Sequence, residues 1–200
     1  MKKRMLALAM MALAIVATGA GAAEERGVDA QGRPYFKATE KATVTAKVIA
    51  VDKTTRVVTL KGERGDTLAV KCGSEVRNFA MIKVSDLVKM TYTEQLDITV
   101  ESPGKAGVLA EASSGSAKVG DMPEANATTR TQYKAEITAI NLENGTATLK
   151  DVDGDQFLVS PLYPENLKKV KVGEVVVFTT TETVAVKVER VQKPKSKPKK

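Results

Sequence analysis

The chain has 200 residues, a net charge of +7, one Cys, and neither His nor Trp. Without imidazole it lacks the usual general base of nucleophilic triads and the commonest metal ligand, and a single thiol forms no intrachain disulfide. Two hundred residues leave room for two small domains.

Lys2-Lys3-Arg4, an apolar stretch from Met5 to Val16 and the small run Ala20-Gly21-Ala22 predict an export signal over 1–22, cleaved after Ala22. No Cys follows that site, so no lipid anchor is expected, and no other segment is long and apolar enough to span a bilayer. The expected product is a soluble protein of a Gram-negative periplasm. Residues 23–41 are polar, with Gly27, Gly32 and Pro34, and read as a flexible leader. Its one apolar spot, Tyr35-Phe36, either docks on the first folded unit or meets a partner.

Two stretches, Thr45 to Glu101 and Lys134 to Glu189, repeat each other. Ala46 to Asp52 lies over Ala135 to Asn141, Thr59-Leu60-Lys61 over Thr148-Leu149-Lys150, and Gly65-Asp66 over Gly154-Asp155. After one deletion Lys83-Val84 lies over Lys171-Val172, and Val100-Glu101 over Val188-Glu189. Turn residues match as well as apolar ones, as two copies of one backbone require. Val44, Ala46, Val48 and Ala50 alternate with polar residues as in a half-buried strand. Asp52 to Thr55 and Asn141 to Gly145 read as turns, with Asn144-Gly145 suited to a hairpin. Leu68, Val70 and Cys72 alternate after the Gly-Asp turn, which points Cys72 inward as an inert thiol. Val76 to Ile82, matched by Pro164 to Val170, reads as a helical turn, Pro164 suiting its first position. Val88 to Val100 keeps one alternation phase, either as one long strand or as a hairpin at Glu94.

The expected fold is therefore all-β: two tandem small OB-like barrels, with an SH3-like barrel as the competing topology, at 42–101 and 131–191. Residues 102–130, rich in Ala, Ser and Gly with Pro103 and Pro123, read as a linker. The tail, 192–200, has Lys193, Lys195, Lys197, Lys199 and Lys200 interrupted by Pro194 and Pro198, and reads as disordered. Three of the positive charges sit in the signal and five in the tail, so 23–191 is close to neutral. A nucleic-acid-binding domain would carry its basic patch on the fold, so nucleic acid is not an expected partner.

Two motif matches reduce to local structure. Ser102-Pro103-Gly104-Lys105 fits Ser-x-x-Lys, but Pro and Gly exclude the helix that would bring Lys to Ser. Asp151-Val152-Asp153-Gly154-Asp155 resembles a calcium loop, yet its Gly falls at position four and Leu162 stands at twelve; a turn is the preferred reading and cation binding the alternative. Among four Tyr and four Phe, alternation turns Tyr92, Tyr133, Phe157 and Phe178 inward and leaves Tyr35, Phe36, Phe79 and Tyr163 as candidates for a binding face.

The run Thr45 to Asp52, then Val58-Thr59-Leu60-Lys61-Gly62, Arg77-Asn78-Phe79, Ile82-Lys83-Val84 and Tyr92-Thr93-Glu94, resembles a group of exported proteobacterial proteins. These carry two copies separated by an Ala/Gly/Pro-rich segment. The resemblance implies an architecture and a compartment and carries over no site residue or cofactor. Ser85 departs from the Gly usual before the acidic residue, and Gly173 keeps it in the second copy. The expected function is non-enzymatic: a periplasmic binding or adaptor protein whose partner is an envelope protein or an anionic cell-wall or outer-membrane component, with the lysine tail as a salt-sensitive attachment. The alternative is a barrel that binds a small ligand or a cation.

Overall fold

The computed structural model describes Ala23 to Val191; the expected export signal (1–22) and the lysine tail (192–200) lie outside the described residues. The chain is nearly all β, in the order β1 (Ala23–Val28), β2 (Pro34–Asp52), β3 (Val57–Gly62), β4 (Thr67–Lys71), a 3-10 turn η1 (Phe79–Met81), β5 (Leu87–Glu101), β6 (Gly107–Ser116), β7 (Glu124–Asn141), β8 (Thr146–Lys150), β9 (Gln156–Val159), a 3-10 turn η2 (Pro164–Lys169) and β10 (Val175–Glu189). Among the described residues no helix is long and apolar enough to cross a membrane.

The strands form one antiparallel sheet in the order β4-β3-β2-β5-β10-β7-β8-β9, with β1 paired to β2 and β6 to β7. Exchanging the first five strands for the last five reverses that order and leaves it unchanged. The sheet does not close, so two separate closed barrels are not what the strand pairing describes. Val88 to Val100 proves to be part of one uninterrupted strand, β5, and not a hairpin. No Gly, Pro or Asn stands in Leu87–Glu101 to break it.

Two segments differ from expectation. The presumed leader, 23–41, carries β1 and the start of β2, paired in register from Ala23↔Thr39 to Val28↔Pro34. The presumed linker, 102–130, carries β6 and the start of β7. Ala, Ser and Gly have low strand propensity, so β6 owes its conformation to the ladder on β7 and not to local preference.

Two compact units result, and both are discontinuous in sequence. One takes residues 23–41, then Thr93–Ala112 and Thr129–Glu182; the other takes Ala42–Tyr92, Ser113–Thr128 and residues 183–191. The boundaries expected at 101 and 131 therefore give way to cuts inside β2, β5, β6, β7 and β10. Strands of 15 to 19 residues rise about 50–60 Å, more than one small core can cover. The unit containing Ala42–Tyr92 is cored by Val48, Val58, Phe79, Ile82 and Val188, with Val51, Leu60, Cys72 and Met122 packed against them. The unit containing Thr129–Glu182 is cored by Ala135, Ile137 and Leu149, with Tyr133, Phe157, Val170 and Phe178 around them. Leu68, expected to face inward, is 61% exposed, because β4 is an end strand of the sheet order. Cys72 is half-buried and its thiol is pushed up by burial, which the Arg56 charge opposes.

Local details match between the units. β2 carries a register shift between Val48 and Ala50 against β3, and β7 one between Ile137 and Ala139 against β8. Val48 N–H donates to Asp86 C=O and Ser85 N–H to Val48 C=O; Ile137 N–H donates to Glu174 C=O and Gly173 N–H to Ile137 C=O. The Asp86 and Glu174 carboxylates accept from the backbone N–H three residues earlier, at 2.9 and 2.8 Å. Ser85 and Gly173 hold the same left-handed backbone, φ 79° and 92°. A side chain there costs about 1 kcal/mol relative to Gly. Ser85→Gly is therefore expected to raise the unfolding midpoint and Gly173→Ser to lower it; scanning calorimetry on both variants checks the pair of opposite signs.

Candidate ligand cavity

The unit containing Thr129–Glu182 encloses a cavity of about 330 Å³. Its walls come from six strands and one turn. β2 supplies Pro34, Tyr35 and Phe36; β5 supplies Leu96, Ile98 and Val100; β7 and β8 supply Ile137, Ala147 and Leu149. β9 and the chain after it supply Phe157 to Tyr163, η2 supplies Asn166 and Leu167, and Val170, Val176 and Phe178 complete it. The period-2 alternation of β5 places Leu96, Ile98 and Val100 on one face. Polar groups on the wall are limited to Ser160, Asn166 and the two Tyr hydroxyls, and no lining side chain is charged.

Polar contacts gather on the aromatic and amide groups of that wall. Tyr163 meets Phe36 with ring centroids 6.2 Å apart and planes at 43°. The Arg26 guanidinium stacks 4.2 Å above the Tyr163 ring. Lys37 Nζ lies 5.5 Å from the Tyr35 ring, and Lys169 Nζ donates to Asn166 Oδ1 at 3.0 Å. The Tyr35 hydroxyl donates to Glu25 Oε1 at 2.9 Å, and that bond, with some burial, raises the Tyr35 pKa. Leu158 and Leu162 also line the cavity, yet are 67% and 63% exposed, so the wall runs out into an apolar lip.

Three of the aromatics singled out in the sequence, Tyr35, Phe36 and Tyr163, come together here. Phe79 does not: it is 5% exposed in the core of the other unit, with the Arg56 guanidinium 4.6 Å from its ring. The lysines from Lys193 to Lys200 lie outside the described residues. Sequence reasoning missed Leu96, Ile98 and Val100 as partners of the residues from Lys134 onward; their unbroken alternation was the available signal that the strand runs on.

The contrast between Phe79 and Leu167 accounts for the hollow. Phe79 is the buried residue of η1 and Leu167 that of η2. Arg56 closes the β2–β3 turn with φ 57°, donates to the carbonyls of Cys72, Gly73 and Val76, and covers Phe79. Gly145 closes the β7–β8 turn with φ 64° and has no side chain to do the same. A smaller buried residue and a missing cover leave space in one unit that is filled in the other.

The aspartate loop at 151–155 behaves as a turn. Asp151 Oδ1 accepts the N–H of Asp153 and of Asp155, both at 2.9 Å. Burial, then the charge and hydrogen bond of Asp151, push the nearby Tyr133 phenol up to about 12. Among the described residues no group of three or more Cys, Asp or Glu is arranged to hold a metal ion. Comparison of the chain with family models, with curated proteins and with solved structures returns no match.

Proposed function

We propose that this is a non-enzymatic binding protein of the cell envelope that takes a small apolar ligand into the cavity walled by β2, β5, β7, β8, β9 and β10. One observation carries the reading: an apolar cavity of about 330 Å³ without a charged lining group, within the size range of small-ligand pockets. The absence of His from the sequence leaves no imidazole for acid–base chemistry. The envelope placement rests on the N-terminal basic, apolar and small-residue pattern and on the resemblance to exported two-copy proteins. The matched bulges, turns and left-handed positions support descent of the halves from one duplicated unit, which starts at β1 in one half and β6 in the other.

The test is titration with a neutral apolar fluorophore, N-phenyl-1-naphthylamine. Saturable enhancement at one probe per chain is expected for the parent protein. Leu167→Phe puts into η2 the ring that fills the core at η1, and is expected to lower probe affinity at least about tenfold while the chain remains folded by circular dichroism. Enhancement that fails to saturate, or that survives the substitution unchanged, sinks the cavity reading.

A further inference from the structure

We propose that the occupant is a single acyl chain with an anionic head, the chain in the cavity and the head at the rim beside Arg26; this rests on the apolar-ligand reading above. The wall decides the body of the ligand. Its polar groups are too few to pair the amides of a peptide, the hydroxyls of a sugar or the edges of a base, and burying those unpaired costs several kcal/mol. Its volume lies at the small end of ligand pockets, which favours one chain over the two of a diacyl lipid.

The rim decides the head. Three cations touch lining groups: Arg26 on Tyr163, Lys37 on Tyr35 and Lys169 on Asn166. The carboxylate in contact with these groups, Glu25, is already engaged by the Tyr35 hydroxyl. Among the described residues no acceptor takes a hydrogen bond from the Arg26 guanidinium, so its N–H fork is open to a carboxylate or phosphate while its face rests on Tyr163. The exposed Leu158 and Leu162 give the first methylenes an apolar lip between head and cavity.

The shared chemistry fits a free fatty acid or a lysophospholipid, and the experiment separates them. Displacement of N-phenyl-1-naphthylamine would be measured at pH 8 with dodecanoate, dodecanol, dodecyltrimethylammonium and a lauroyl lysophosphatidylglycerol, each below its micelle concentration. Dodecanoate or the lysophospholipid is expected to displace at about tenfold lower concentration than dodecanol, the worth of one charge-assisted hydrogen bond, with the ammonium weakest. The stronger of the two anions identifies the head. Arg26→Gln is expected to bring the anion down to the level of dodecanol, and Leu167→Phe to weaken every chain. Equal displacement by dodecanoate, lysophospholipid and dodecanol, or an anion preference that survives Arg26→Gln, overturns the head-group assignment and leaves the apolar cavity standing. Displacement by none of the four while the fluorophore still binds saturably overturns the acyl-chain assignment; fluorophore binding that fails to saturate overturns the cavity reading as well.

Discussion

Phe79→Ala is expected to lower the free energy of unfolding by about 3–5 kcal/mol, the cost of emptying a buried aromatic site that cannot collapse. Phe79 is 5% exposed and belongs to the core cluster with Val48, Val58, Ile82 and Val188. It also carries the Arg56 guanidinium, whose Nε and Nη2 hold the carbonyls of Cys72, Gly73 and Val76. Truncation therefore removes apolar contact and the surface against which Arg56 is ordered, the second part adding about 0.5–1 kcal/mol. Against a stability of about 5–15 kcal/mol for a domain, such a loss brings the chain close to unfolding at physiological temperature. Phe79→Leu, which copies what η2 already tolerates at Leu167, is expected to cost clearly less and to create a second hollow. Urea denaturation of both variants checks this; a loss below about 1 kcal/mol for Phe79→Ala contradicts the role assigned to the ring.

Asp86→Ala is expected to cost about 2–3 kcal/mol at pH 7 and to flatten the acid side of the stability profile. Asp86 is 3% exposed, and its carboxylate accepts the Lys83 N–H at 2.9 Å, Arg190 Nε at 3.1 Å and Arg190 Nη2 at 3.2 Å. Arg190 Nη2 also donates to Met81 C=O at 2.7 Å, which ties the end of β10 to the segment after η1. Burial alone would raise the Asp86 pKa; the Arg190 hydrogen bonds, the Lys83 N–H and the charges of both residues outweigh it and hold the carboxyl below its ordinary value. A carboxyl depressed in the folded state contributes fully above the unfolded value of about 4 and loses that contribution as pH falls through the folded value. The parent chain is thus expected to lose stability below about pH 4 more steeply than Asp86→Asn, measured by thermal melts from pH 6 to pH 2.5. Parallel profiles would show that the pair contributes nothing. Glu174 makes the equivalent backbone bond with Lys171 and has no arginine on it among the described contacts, so Glu174→Ala is expected to cost below about 1 kcal/mol.

Much of the strand map is legible in the sequence. Alternation located β3, β4, β8 and β9, and the Gly-Asp pairs located the turns at Gly65 and Gly154, both with positive φ. The Lys-Val alignment placed Ser85 opposite Gly173, and both adopt the left-handed backbone. Of the four aromatics that alternation does not turn inward, Tyr35, Phe36 and Tyr163 line the cavity, and Phe79 sits in the core of the other unit. What was not legible is that Leu96, Ile98 and Val100 belong with them, since that depends on where a long strand is paired rather than on its own residues.

Local sequence sets which residues can be strand and where the chain must turn. These are local properties: a pleat of period two, a glycine at positive φ, an apolar side chain in every second place. Long-range pairing is what gives residues 23–41 and 102–130 their strands, makes the long strands each serve both units, and leaves Leu167 bordering a hollow where Phe79 fills one. A β-ladder is completed by hydrogen bonds to a partner distant in sequence, so neither a strand's neighbour nor the space left behind it is written in the strand itself.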